Sequence, residues 1–205
     1  MNSFYTITSV VRHEIKIKGS RFIGYAAPIE TREAAETVLD SIRKTHFNAT
    51  HNCYAYRLNP DGRDFRFNDD GEPSGTAGRP ILDAIESRGL FRVICVVTRY
   101  FGGTKLGTGG LARAYQQIAA ETLDKGEKIQ KNLYRKGKFS FAYDWTGAVM
   151  SLFDKHGCKI LESVYDEKTE LLILIPEEKA AGFATQCTDA TQGKVRIQWE
   201  GYVYD

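Results

Sequence analysis

The order of apolar and polar residues first predicts a hairpin and a helix. Residues 12–29 alternate about a Gly-Ser dipeptide, which is typical of two strands joined by a tight turn. After Thr31, apolar residues recur every three or four positions, which is the period of one helix face. We therefore expect a helix that is capped by Thr31 and extends to about Lys44.

The next hundred residues continue the alternation of strands and helices. Strands are predicted at 53–58 and 64–67, and the Asn-Pro-Asp-Gly sequence at 59–62 is a strong turn between them. Residues 91–98 form an almost continuous apolar and β-branched run, which predicts a central strand buried on both faces. Helices are predicted over residues 80–89 and 111–123.

The last third of the chain repeats a simpler order. A strand is predicted at 129–143, a helix capped by Asp144 and ended by Gly157, two strands, a helix opened by Pro176, and a final strand. This β-α-β-β-α-β order is the ferredoxin-like pattern. The predicted fold class is therefore α+β with two domains, residues 1–128 and 129–205.

Composition narrows the class of protein without identifying its ligand. Hydrophobic residues make up 42% of the chain and charged residues 26%, which are ordinary globular values. A net charge of +2 does not by itself indicate a nucleic-acid binder. The four cysteines lack a C-x-x-C pair, so neither a disulfide framework nor a zinc site is expected. With no secretory signal and no membrane-spanning apolar run, we expect a cytoplasmic protein without a cofactor.

The glycine-rich segment 100–110 is the most unusual local feature. A strand, a glycine-rich loop and a helix present backbone N–H groups to an anion. Gly107, Gly109 and Ala112 match a dinucleotide-binding fingerprint, but about eight residues separate them from the strand that they should follow directly. The segment is not a Walker A loop either, because Lys105 is not followed by Ser or Thr. A plain tight turn and an anion-binding surface both remain open. The candidate anion- or nucleic-acid-binding residues are Arg57, Arg66, Arg79, Arg99, Lys105, Gly107, Gly109, Gly110 and Arg113.

The acidic loop 68–78 is a second candidate site. Its oxygen donors do not have the spacing of a calcium-binding loop, so no metal site is predicted. A solvated turn with side-chain capping is one interpretation. Another pairs its carboxylates with Arg66, Arg79 or Arg99 to fix the loop. The candidate loop residues are Asp69, Asp70, Glu72 and Ser74.

No complete set of catalytic residues is recognisable. His51 and Cys53 are alternate residues of a strand and share a face, so a nucleophile–base pair is conceivable, but a buried structural cysteine is the commoner case.

Aromatic residues, including Tyr100 and Phe101, are interleaved with arginines. Nucleic-acid bases stack on such rings, so this pattern suggests single-stranded nucleic acid.

Three segments together resemble a known family. They are HNCYAYRL at 51–58, NDDGEPSGTAGRPIL at 68–82 and VVTRYFGGTKLGTGGLARAY at 96–115. In this order they look like the signature of the IMPACT family, in its bacterial, YigZ-like form. The resemblance implies a first domain with the ribosomal protein S5 domain 2-like fold. It also implies a second, ferredoxin-like domain similar to the last domain of elongation factor G.

The resemblance also bears on function. Eukaryotic relatives regulate translation by competing for an activator of an initiation-factor kinase, and only the domain they share with this chain carries over. Our first hypothesis is a non-enzymatic protein that associates with RNA or the ribosome, with Arg99, Lys105 and Arg113 contacting phosphates. An enzyme acting on a phosphorylated small molecule, with Asp70 or Glu72 as metal ligand or base, is an alternative. A protein-interaction module is another, and the sequence makes no prediction of oligomeric state.

Overall fold

The structure is a computed structural model that describes residues 1–60 and 63–205, so the turn predicted at 59–62 lies partly outside the described residues. These residues form ten strands and five α-helices, which run in the order β1 Ser3–Ile7, β2 Val11–Ile17, β3 Ser20–Pro28, α1 Arg32–Thr45, β4 His51–Arg57, β5 Phe65–Asn68, α2 Gly78–Glu86, β6 Val93–Tyr100, α3 Thr108–Asp124, β7 Lys128–Ala142, α4 Thr146–His156, β8 Lys159–Tyr165, β9 Lys168–Pro176, α5 Glu177–Ala190 and β10 Arg196–Tyr204.

The chain forms two compact units. One is Phe4–Gln130, and the other combines Met1–Ser3 with Lys131–Asp205. The division falls two residues after the boundary placed at 128. It also assigns the first three residues to the C-terminal unit, which the sequence does not predict.

The Phe4–Gln130 unit is built on an antiparallel sheet of order β2-β3-β6-β4-β5. The predicted central strand is confirmed, because β6 pairs with β3 on one side and with β4 on the other. It runs over Val93–Tyr100 rather than 91–98, since both neighbours pair with it as far as Arg99. Arg99 therefore lies inside the strand and not in the loop that follows it.

Helices cover both faces of this sheet. Helices α2 and α3 pack with Phe22, Cys53 and Val97 on one face, and α1 packs with Tyr54 and Val96 on the other. Successive side chains of β6 point to opposite faces of the sheet and therefore pack into two separate hydrophobic cores. The predicted cap of α1 is confirmed, because Thr31 accepts a hydrogen bond from the backbone N–H of Ala34 at 3.2 Å.

Helix α3 begins earlier than the sequence predicts. The backbone N–H of Leu111 donates to the carbonyl of Gly107 at 2.9 Å, so the first helical turn starts at Thr108. Gly107 has a φ of 72°, a left-handed conformation that favours glycine. Gly109 and Gly110 are therefore residues of the helix, and their N–H groups belong to its positively polarised end.

The C-terminal unit has the predicted ferredoxin-like order. Its strands are arranged β10-β7-β9-β8, all antiparallel, over a core that includes Phe139, Phe153 and Phe183. The predicted cap at Asp144 is wrong, because the chain makes a 3-10 turn over Tyr143–Trp145 before α4 begins. Gly157 ends α4 in the left-handed conformation, as expected from the sequence.

Candidate functional site

A cavity of about 390 Å³ lies in the Phe4–Gln130 unit where α3 begins. Residues from the start of β4, the end of β6, the acidic loop and the glycine-rich loop contribute to its wall. It therefore gathers members of both candidate sites that the sequence predicts. The lining residues used below are His51, Glu72, Arg99, Phe101, Lys105 and Thr108.

A second cavity in the same unit is larger, about 530 Å³, and it is lined by residues that include Arg12, Arg21 and His46. Its acidic member, Glu14, is bound to Arg21 at 2.8 Å on the surface. The smaller cavity is the better candidate site, because its wall holds buried charged side chains, which cost much free energy to maintain.

The buried charges are those of Glu72 and Arg99. Arg99 is 5% exposed and Glu72 is 7% exposed, and the guanidinium donates to Glu72 Oε1 at 2.6 Å. The hydroxyl of Tyr115, on α3, donates to the same oxygen at 2.7 Å. Burial raises the pKa of the Tyr115 hydroxyl far above its usual value, so it remains a proton donor to the carboxylate. Loop, strand and helix are thus tied together at one carboxylate.

His51 presents an acceptor to the cavity. Its Nδ1 lies 2.8 Å from the backbone carbonyl oxygen of Asp70, which can only accept, so Nδ1 carries the proton in the neutral ring. Nε2 then keeps a lone pair, and it lies 3.8 Å from Glu72 Oε1. The hydrogen bond to the loop therefore assigns the tautomer of His51.

Cys53 is not arranged as a nucleophile. Its sulfur lies 3.0 Å from the carbonyl oxygen of Asp69 and 3.4 Å from the Tyr115 hydroxyl, and the side chain is fully buried. Burial raises the pKa of the Cys53 thiol well above its usual value, so the reactive thiolate is disfavoured. The commoner interpretation of the His51 and Cys53 pair, a buried structural cysteine, is the one the structure supports.

The acidic loop is held by its own carboxylates. Asp69 accepts hydrogen bonds from the backbone N–H groups of Gly75, Ala77 and Gly78, at 2.8–2.9 Å. Asp70 accepts from the backbone N–H of Asn52 at 2.6 Å. Among residues 1–60 and 63–205, no group of three or more His, Cys, Asp or Glu side chains is placed to hold a metal ion. The conformation of the acidic loop is therefore explained by side-chain capping and by the pairing of Glu72 with Arg99.

The predicted cations do not form one patch. Arg79 pairs with Asp83 at 2.8 Å, and Arg57 lies against the Phe91 ring with its guanidinium 4.0 Å from the ring centre. Arg66 lies on β5 and lines a different cavity. None of the three is among the residues that line the 390 Å³ cavity.

Arg99 is the main correction to the predicted anion site. Its side chain is buried and bound to Glu72, so it is not a free phosphate contact. Lys105 is exposed and lines the cavity, Gly107 lines it as well, and Arg113 is exposed on α3. Ser74 is exposed and is not among the lining residues.

Sequence reasoning missed three contributors to the site. Tyr115 follows the apolar face of α3 and looks like an ordinary core residue, so no sequence signal indicates its bond to Glu72. The sequence predicts Thr108 in the loop, because it predicts a later start for the helix. It indicates His51 only as a partner for Cys53, whereas the ring contacts the acidic loop.

The fold and this site define an α+β protein of two domains with a polar cavity at a glycine-rich helix start. The Impact N-terminal domain matches residues 18–123, and a domain of unknown function, DUF1949, matches residues 139–194. The chain belongs to the IMPACT family. In the described residues, no helix is both long and apolar enough to cross a membrane.

The bacterial relatives are similar over almost their whole length, and a eukaryotic relative is similar over part of its length. The IMPACT family member YvyE of Bacillus subtilis is 37% identical over 97% of this chain and 91% of its own. The IMPACT family member YigZ of Escherichia coli is 33% identical over 89% of this chain and 90% of its own. A crystal structure described as that of a hypothetical protein superposes with a TM-score of 0.71 and 32% identity, over 96% of this chain and 97% of that one. Protein IMPACT of Mus musculus is 34% identical over 47% of this chain and 32% of its own.

Proposed function

We propose that this protein is a non-enzymatic, cytoplasmic regulator of translation that binds RNA, free or within the ribosome, at the start of α3. The observation that carries the proposal is the placement of exposed Lys105 and the half-exposed Phe101 ring beside one polar cavity at the N-terminal end of that helix. A cation, a set of backbone N–H groups and a ring are the elements with which proteins hold single-stranded nucleic acid.

The electrostatics of the site favour an anionic ligand. Glu72 and Arg99 neutralise each other, which leaves Lys105 as the charge at the cavity and Arg113 exposed one turn into α3. The first turn of α3 adds N–H groups at the positive end of its dipole. The second domain resembles the last domain of elongation factor G, and this resemblance supports the binding of RNA within the ribosome.

The enzyme alternative has less support. In that hypothesis Asp70 or Glu72 is the metal ligand or base. Asp70 accepts a hydrogen bond from the backbone of Asn52, however, and Glu72 accepts from Arg99 and Tyr115. Glu72 could take up that role only by breaking its bonds to Arg99 and Tyr115, and one oxygen of Asp70 is already bound to the backbone of β4. A protein-interaction module is separated from the RNA proposal by the experiment below.

The test is the binding of fluorescein-labelled single-stranded RNA by anisotropy across a salt series. We expect affinity to fall with salt, and the double variant K105A/R113A to reduce the slope of log K against log salt by about 1.4, which is about 0.7 for each lost contact with a single strand. Arg99 is left intact, because its removal would leave the buried Glu72 carboxylate without its countercharge.

The matched control is K125A/K128A, which removes the same charge from just beyond the other end of α3, at the residue after the helix and at the first residue of β7. Lys125 follows the last residue of that helix, about 25 Å from its start at 1.5 Å per residue. We expect the control to keep the slope of the intact protein. An equal loss in both variants, or no binding by the intact protein at low salt, would contradict the proposal and leave a protein partner as the better hypothesis.

A further inference from the structure

The cavity offers an imidazole acceptor on one side and the donors of Lys105 and Thr108 on the other. His51 Nε2 is an acceptor because Nδ1 donates to the Asp70 carbonyl oxygen, and the imidazole is 19% exposed. Lys105 and Thr108 line the same cavity and supply donors. A ligand that satisfies both sides carries a hydrogen-bond donor, such as a hydroxyl, as well as an anionic group.

The Phe101 ring adds a requirement for a flat apolar group. The ring is 47% exposed, and the guanidinium of Arg99 lies 5.6 Å from its centre. Arg99 is held in turn by Glu72, so the ring rests on a buried and fixed support. Bases stack on rings of this kind, with typical contributions of about 1–3 kcal/mol for each base.

Size limits the ligand to one nucleotide unit. A cavity of about 390 Å³ lies near the lower end of the range of about 300–1,000 Å³ that small-molecule sites span. The Nε atom of Arg99, in its wall, is buried and lacks a hydrogen-bond partner among the described residues. An orphaned buried donor of this kind favours a site that a polar ligand completes.

We propose that the cavity takes a single ribonucleotide of the bound strand and reads its sugar. The base stacks on Phe101, the phosphate lies between Lys105 and the first turn of α3, and the ribose 2′-hydroxyl donates to His51 Nε2. This inference rests on the proposed function and adds to it a chemical preference for RNA over DNA. The 2′-hydroxyl is the group by which a protein distinguishes the two at a given site.

The preference follows from the cost of an unpaired acceptor. A deoxyribose in the same position shields His51 Nε2 from water without replacing the hydrogen bond. A site built to bond a hydroxyl discriminates against the analogue that lacks it. For one neutral hydrogen bond we expect roughly a 10-fold preference for RNA.

The experiment compares four labelled 12-mers of one sequence with the intact full chain. They are RNA, the uracil-containing DNA, 2′-O-methyl RNA and 2′-fluoro RNA. The 2′-fluoro strand keeps a ribose-like sugar pucker but cannot donate a hydrogen bond, so it separates sugar shape from donation. We expect RNA to bind about 10-fold more tightly than each of the other three.

The variant His51→Phe tests the same hydrogen bond from the side of the protein, because phenylalanine keeps a ring in the cavity wall but has no acceptor. We expect this variant to bind RNA and DNA equally, at the DNA affinity of the intact protein. An equal loss of affinity for both strands would overturn the inference, since His51 would then act only by holding the acidic loop. The comparison of the four strands does not depend on the folding of the variant.

The two proposals fail in different ways. If the intact protein binds RNA, DNA and 2′-fluoro RNA equally, and this binding still depends on salt and on Lys105 and Arg113, the sugar-reading inference is overturned and the proposed function stands. If no strand binds at low salt, both are overturned. If 2′-fluoro RNA binds as tightly as RNA while DNA does not, shape rather than His51 provides the preference, and the inference is again overturned.

Discussion

Glu72 is the residue on which the candidate site depends most. Its Oε1 accepts from Arg99 and from Tyr115, and the three side chains come from the acidic loop, β6 and α3. A buried ion pair does little for stability compared with apolar packing, but breaking it leaves a charge without a partner. Its contribution is therefore the fixed position of the loop, and its removal should be costly.

We expect Glu72→Gln to lower the free energy of unfolding by about 3–5 kcal/mol, because Arg99 remains charged and buried without its carboxylate. Urea unfolding followed by circular dichroism measures the change. Glu36→Gln, on the exposed side of α1, is the matched control and should stay within about 0.5 kcal/mol of the intact protein. Similar values for the two variants would show that the Glu72 pair is not a buried structural contact.

The sequence indicates this pair only as one of several possibilities. Charge alone allows the carboxylates of the acidic loop to pair with Arg66, Arg79 or Arg99. The outcome depends on which side of the sheet each arginine faces, and for Arg99 that depends on β6 continuing to Tyr100. Strand ends are set by the pairing of neighbouring strands, which is a non-local property that a local pattern does not contain.

At the scale of elements, the turn between β2 and β3 meets the start of the glycine-rich loop. A Cβ atom added to Gly102 would lie 1.9–2.3 Å from backbone atoms of Gly19 and Ser20. The backbone N–H of Gly102 also donates to Ser20 Oγ at 3.2 Å. This close approach requires glycine at residue 102, whereas Gly109, inside α3, is under no such constraint.

We expect Gly102→Ala to lower the free energy of unfolding by about 1–3 kcal/mol or more, because backbone atoms must move to admit the methyl group. Gly109→Ala is the matched comparison, since the nearest atom to its added Cβ is Arg113 Nη1 at 3.6 Å. It should be neutral or stabilising by up to about 1 kcal/mol, because alanine favours the helix. Thermal unfolding of both variants checks the contrast, and an equal loss in the two would contradict it.

The types of element are well predicted from the sequence, and their ends are less so. The 3.6-residue period after Thr31 and the apolar run of β6 correctly indicate a helix and a buried strand. Glycine is a poor helix former, so the sequence predicts that α3 begins after Gly109 and Gly110. The helix begins earlier, at Thr108, because the backbone N–H of Leu111 donates to the carbonyl of Gly107. Strand β1 was missed, since its five residues are tied to distant parts of the chain, such as the bond from Phe91 N–H to the Tyr5 carbonyl.

At the scale of the whole molecule, the two units have separate hydrophobic cores. The cores of the Phe4–Gln130 unit surround its sheet, and a third core, around Phe139, belongs to the C-terminal unit. Both tryptophans of the chain, Trp145 and Trp199, pack against that third core. Tryptophan fluorescence therefore reports on the C-terminal unit alone.

We expect the two units to unfold in separate transitions. Phe153→Ala, which removes about 3–5 kcal/mol from the third core, should move the fluorescence midpoint in urea to lower concentration. Ile118→Ala, in α3, should leave that midpoint unchanged and shift only part of the circular dichroism signal. If Ile118→Ala moves the fluorescence midpoint as far as Phe153→Ala does, the chain unfolds as one cooperative unit.

The central position of β6 has a consequence for folding during synthesis. Its two partners, β3 and β4, are both made before it. The edge of β4 that β6 will cover remains unpaired from residue 57, and that of β3 remains unpaired while the chain grows from residue 28 to residue 93. At about 5–20 residues per second, this interval lasts roughly 3–13 s. During that time the nascent chain presents open strand edges to its neighbours on the polysome, so we expect its yield in the cell to depend on chaperones more strongly than its final stability suggests.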